Sequence, residues 1–120
     1  MALIRSRFGE LIAVNSRLAN QIHTITLMCL FSLIDAMLDL TMEEALRQIE
    51  IDEDVYQALV FHAGPLEPIL DVILCYERGN CDHMAENAQD LGIEMLSLKD
   101  WYFQAIQWAD QVMIQYQIER

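Results

Sequence analysis

The chain has 120 residues, with 19 acidic against 7 basic side chains, a formal net charge of −12, and 54% hydrophobic residues. That charge argues against DNA or RNA as a ligand, because affinity for phosphate backbones comes largely from Lys and Arg displacing counterions, and against anionic membrane surfaces, which recruit the same residues. The length suits one domain, spanning 1–120, and the apolar excess calls either for an unusually complete core or for an apolar face that another chain covers.

Apolar residues recur at helical spacing almost throughout, and no stretch alternates long enough for a strand, so the fold class is all-α, a compact bundle of six to seven helices. The first helix runs from Ala2 to Val14, with Leu3, Phe8, Leu11 and Ile12 as core candidates, and Asn15-Ser16 ends it. A long second helix is expected from Leu18 to Asp39. Its most apolar part, Ile25 to Ile34, is bounded by His23 and Asp35, falls short of the roughly 20 residues of a membrane span, and reads as a buried central helix.

Thr41 with Glu44 has the form of a capping box, in which hydroxyl and carboxylate satisfy orphan amides at a helix start, and it opens a short helix from Met42 to Gln48. Asp52 caps the next, Glu53 to His62, with Ile51 placed to pack back as a staple. Gly64 is expected to end that helix in a left-handed conformation. Pro65 and Pro68 then fit the opening turn of a helix that runs to Arg78, where amide donors have no partner anyway, and Gly79 closes it. Asn80 caps a helix from Cys81 to Leu91, Gly92 ends it, and Ser97 with Asp100 starts a last helix to Tyr116 that carries Trp101, Ala105, Trp108, Ala109 and Val112 along one side.

Five segments stand out by wording as well as pattern: Arg5-Ser6-Arg7-Phe8-Gly9-Glu10-Leu11, Leu30 to Asp39, Thr41-Met42-Glu43-Glu44-Ala45-Leu46, Gly64 to Asn80, and Tyr102 to Asp110. In this order and spacing they resemble the C-terminal half of HDOD domains, helical relatives of HD phosphohydrolases in bacterial signalling proteins. The likeness is to the HDOD half of proteins that also carry an EAL domain, the cyclic di-GMP phosphodiesterase module. Gly9 and Phe31 depart from the usual pattern, and the chain starts where a full HDOD domain is about half finished, so it reads as a partial domain. HDOD domains have lost the metal ligands of their HD relatives. The resemblance therefore implies a non-enzymatic regulatory module in the bacterial cytoplasm, acting through a protein partner, a missing N-terminal EAL or HDOD portion, or a second copy of itself.

The residues themselves supply no catalytic, cofactor or metal site. Glu44-Ala45-Leu46 spells the EAL signature inside a capped helix start, in a chain too short for the (β/α)₈ barrel of such enzymes. Asp82-His83 reverses the His-Asp pair that HD enzymes use to hold metal. His23, His62 and His83 with Asp35, Glu77 or Glu86 lack the repeated ligand pairs that helical metal sites draw from several helices, and no glycine-rich phosphate loop occurs. Cys29, Cys75 and Cys81 show no C-x-x-C spacing; Cys29 and Cys75 read as buried thiols suited to a reducing compartment, and no secretory signal is visible. The seven Met residues read as core filling.

The residues singled out as family markers with structural roles are Arg5, Arg7, Glu10, Asp35, Tyr76, Glu77, Arg78, Gly79 and Trp108. The cations of the first helix, Arg5 and Arg7, are expected to form ion pairs with Asp35 or Asp39, and the Tyr76 to Gly79 corner to hold the loop that follows it. The competing readings are a metal-dependent HD-type phosphohydrolase remnant and a truncated self-associating bundle.

Overall fold

In the computed structural model residues 2–47, 49–79 and 83–119 are described. Helix α1 (Ala2–Val14) buries Ser6, Phe8, Gly9, Ile12 and Ala13, a spacing of three to four that makes one continuous face. Against it pack α2 (Ile22–Phe31), α6 (Glu67–Arg78) and α8 (Met95–Glu119), so the first helix is the hub of the fold. Gly9 makes the contact with α2 possible, since a Cβ there would run into Cys29 Sγ and touch Ile73 Cδ1 at 3.4 Å. The core around the hub includes Phe8, Ile12, Ile25, Met28, Leu46, Leu66, Ile69, Ile73, Leu91 and Leu98. Every element among the described residues is helical, as the periodicity implied.

The expected long second helix is three pieces: a 3-10 turn at Ala19–Gln21, α2, and α3 (Ile34–Leu38). The break at Ser32-Leu33 has a local cause. Ser32 Oγ donates to the Cys29 carbonyl at 2.6 Å, the Ser32 amide donates to the same carbonyl at 3.3 Å, and Arg5 Nη1 donates to Ser32 Oγ at 3.0 Å and to the Ser32 carbonyl at 3.5 Å. A serine that bonds back to its own preceding turn competes with the helix ladder, and the guanidinium takes the carbonyl that the helix would otherwise use. Nor is this segment a wholly buried central helix. Ile25, Met28 and Cys29 face the core, but Leu27 is 50% exposed and Met37 75%. The apolar stretch is also longer than the sequence reading allowed. Ala19–Leu38 is 20 residues with a mean hydropathy of 1.5, which by length and composition is enough to cross a membrane.

Of the expected caps, those at Thr41 and Asp52 form. Thr41 Oγ1 accepts the Glu44 amide at 3.2 Å at the start of α4 (Met42–Leu46), and Asp52 Oδ1 accepts the Asp54 amide at 2.9 Å at the start of α5 (Glu53–Phe61). The left-handed residue that closes α5 is His62 (φ 51), not Gly64: the His62 amide donates to the Ala58 carbonyl and the Ala63 amide to the Gln57 carbonyl, both at 3.2 Å, before Gly64 (φ 91) turns the chain. Pro68 sits in the first turn of α6, buried Leu66 precedes that helix, and Gly79 (φ 71) ends it as expected. Helix α7 (Met84–Leu91) ends at Gly92 (φ 76); the expected Asn80 cap and Cys81 start lie outside the described residues. Helix α8 starts at Met95, two residues before the expected Ser97, because the backbone turns in through the Ser97 amide bonding to the Glu94 carbonyl at 3.1 Å.

The cysteines divide. Cys29 is a free, fully buried thiol whose pKa burial pushes up to about 12, with Arg5 pulling weakly the other way. Cys75, expected to resemble it, is half-buried and disulfide-bonded.

Candidate functional site

At the meeting point of α1, α6 and the α2–α3 break, Arg5 and Glu77 form a two-pronged pair: Arg5 Nη2 donates to Glu77 Oε1 at 2.7 Å and Arg5 Nε to Glu77 Oε2 at 2.7 Å. Both side chains are only 11% exposed. The third nitrogen, Nη1, is taken by Ser32, so the guanidinium ties three segments together with all its nitrogens engaged. Burying two charges is costly unless geometry and extra hydrogen bonds compensate, and here the fork geometry and the serine provide both. The serine was passed over in the sequence because it lies in an apolar run; a lone hydroxyl flanked by helical hydrophobics is the signal that could have marked the break.

Beside this pair stand three aromatic rings. Phe8 meets Tyr76 at 5.4 Å and Tyr102 edge-on at 5.1 Å, and the two tyrosines lie 4.9 Å apart, joining α1, α6 and α8. Offset and edge-on rings at these spacings add to the area they bury. Burial raises the Tyr102 pKa, the Glu77 and Tyr76 charges add to the rise, and Arg5 opposes it. Tyr102 therefore stays protonated beside the carboxylate.

The structure brings most of the singled-out residues to this joint but re-pairs them. Arg5 pairs with Glu77 and Arg7 with Glu10 at 2.8 Å, one turn along α1, so neither reaches Asp35 or Asp39. The reason is helical geometry: Arg7 and Glu10 are three residues apart on one face, whereas Arg5 faces the end of α6. Arg7 also lies 5.6 Å from the Trp108 ring, a cation–π contact between α1 and α8. Asp35 Oδ1 accepts the Ala36 amide at 2.8 Å. Tyr76 and Glu77 reach back to α1 and Gly79 caps α6, while the loop that this corner was expected to hold, 80–82, lies outside the described residues.

Arg78, Asp35 and Arg5 share a different surface. They line a cleft of about 450 Å³ together with Ser32, His62 and the apolar side chains Met42, Leu59, Leu70 and Leu74. His62 was weighed in the sequence as a metal ligand, and a first-turn methionine such as Met42 carries no spacing signal. Among the described residues no group of three or more His, Cys, Asp or Glu gathers where it could hold a metal ion. His83 and Glu86, one helical turn apart at 3.4 Å, are both largely exposed.

With this geometry in view, comparison with known proteins gives two relatives. The chain is 26% identical over 112 residues to the cyclic di-GMP phosphodiesterase CdgJ of Vibrio cholerae, covering 93% of this chain and 26% of that protein. It is 28% identical over 113 residues to the uncharacterized protein YuxH of Bacillus subtilis, covering 94% of this chain and 27% of that protein. The chain thus spans about a quarter of the length of the curated relatives it matches. No family model matches, and no solved structure matches.

Proposed function

We propose that the chain is a helical regulatory module, similar to the C-terminal half of an HDOD domain, that acts through protein contacts in cyclic di-GMP-related bacterial signalling and carries no phosphodiesterase chemistry of its own. One observation supports this reading above the others. Four of the five motifs that carry the resemblance, spread from Arg5 to Trp108, meet in contacts with each other: Arg5 with Glu77 and Ser32, Arg7 with Glu10 and Trp108, Tyr76 with Tyr102. A catalytic site holds polar groups ready for a substrate; these are spent on holding helices together. What distinguishes the sequence is thus a shape, as a module that works by contact requires. The likeness of nearly the whole chain to about a quarter of a cyclic di-GMP phosphodiesterase supports the signalling context.

The test is an assay in two arms. The purified chain, supplied with Mg²⁺ or Mn²⁺ and cyclic di-GMP, is expected to release no linear product. Joined in one polypeptide to the EAL module of such a phosphodiesterase, it is expected to change that module's hydrolysis rate several-fold, and Arg5→Met is expected to abolish the change. Turnover by the chain alone with a stoichiometric metal, or an EAL rate indifferent to its presence, overturns the reading.

A further inference from the structure

The cleft beside the joint combines an apolar wall with a charged rim. Leu59 and Leu70 are buried, Met42 and Leu74 are half-buried against the core, and Arg5, Asp35, His62 and Arg78 stand around them. These groups come from α1, α3, α4, α5 and α6, so the cleft exists only when the whole fold is assembled.

The rim charges are not equivalent. Arg5, Arg7, Arg17 and Arg47 each have a carboxylate partner, in a chain whose acids outnumber its bases 19 to 7. Arg78 has no ion pair among the described residues and is exposed at the cleft. An unpaired guanidinium in so acidic a chain is a site for an external carboxylate. A phosphorylated small molecule fits less well. Arg5 is committed to Glu77 and Ser32, which leaves one free guanidinium where a nucleotide's phosphates would draw on several donors.

We propose that this cleft docks a segment of a partner protein that presents a large apolar side chain next to a carboxylate, the side chain against Met42, Leu59, Leu70 and Leu74 and the carboxylate on Arg78. Asp35, on the α3 side of the cleft, sets the direction by repelling the acidic end toward α6. The inference rests on the reading of the chain as a contact module and names the chemistry of what it contacts.

The experiment is an NMR titration of the isotope-labelled chain with the capped tetrapeptide Leu-Phe-Asp-Glu, and with Leu-Phe-Lys-Lys as control. The acidic peptide is expected to shift Met42, Leu59, Leu74 and Arg78 signals, with affinity at least ten-fold above that of the basic one. Binding is expected to be lost in Arg78→Glu, a surface change, and in Ala36→Trp, which fills the mouth of the cleft from exposed Ala36. Shifts elsewhere, or equal shifts from both peptides, overturn the proposal. So do the same shifts produced by acetate or phosphate alone, which would mark a simple anion site, and concentration-dependent shifts without peptide, which would give the cleft to a second copy. Absence of any shift while the chain still alters hydrolysis by a joined EAL module removes this cleft and leaves the regulatory reading standing.

Discussion

Two regions of this molecule use the same apolar-rich, acidic sequence in opposite ways. Where α1, α6 and α8 meet, the charges are forked and nearly buried, rings meet edge-on, and a glycine lets α1 and α2 approach until a methyl group would not fit. On the α2–α3 side, five large apolar side chains, Leu27, Leu30, Met37, Leu38 and Leu40, reach solvent, and α3 and α4 are five residues each. Helices that short do not hold themselves together; α3 packs on α4, and α4 on α5 through a face that buries Ala45 and Leu46. The first region therefore carries the stability, and the second leaves apolar side chains in solvent.

The sharpest way to break that contrast is at the buried pair. Arg5→Met leaves Glu77 charged and almost out of water, and is expected to cost about 3–5 kcal/mol in urea unfolding. Adding Glu77→Leu is expected to recover much of it, because an apolar pair of similar size replaces two desolvated charges. A loss below about 1 kcal/mol for Arg5→Met, the range of exposed pairs, would place this joint with the surface rather than the core.

Next in size is Gly9→Ala. The added methyl meets Cys29 Sγ inside a packed contact, and overpacking of this kind costs about 1–3 kcal/mol. Cys29→Ala removes the obstruction, so the double variant is expected to be more stable than the sum of the two single changes predicts, by at least about 0.5 kcal/mol in a double-mutant cycle. Strict additivity would show that the two helices have room to give.

How much of this was legible beforehand follows the same division. Helix ends written by local chemistry were readable: Thr41, Asp52, Gly79 and Gly92 cap or close helices as their side chains or φ angles demand. Features set by distant residues were not. The break at Ser32 depends on a guanidinium 27 residues away, and the Arg5–Glu77 pair spans 72 residues, so no local pattern could choose Glu77 over Asp35 as the partner. The closure of α5 at His62 was missed for a third reason. Glycine is the usual left-handed residue, and Gly64 two positions later drew the assignment to itself. The resemblance pointed to Arg5, Tyr76 and Glu77 but not to Ser32 or Tyr102, and the pairing of all five required the fold.

A smaller effect follows from the buried thiol. The Cys29 proton is held until about pH 12 in the folded chain, against 9.0 for an ordinary thiol. The unfolded chain therefore loses that proton first. The stabilising difference is complete below pH 9 and is lost as pH rises from 9 toward 12. Between pH 8 and 10 the parent chain is expected to lose roughly 1 kcal/mol more than Cys29→Ala does, read as the difference between two urea curves at each pH. Equal losses would mean that the thiol senses solvent and that the α1–α2 contact is looser than its geometry implies.

The least energetic change tests the other side of the comparison. Met37 is 75% exposed on α3, so Met37→Lys removes little packing and is expected to alter stability by no more than about 0.5 kcal/mol. The same change should lower the binding of an apolar dye, because it places a charge in the middle of an exposed apolar surface. The two readouts are expected to separate here and to move together at the joint, where Arg5→Met both destabilises the chain and loosens its core. If Met37→Lys instead costs more than 1 kcal/mol, α3 is structural after all. The apolar side chains around it would then have to be assigned to the interior of an assembly in which this face is covered.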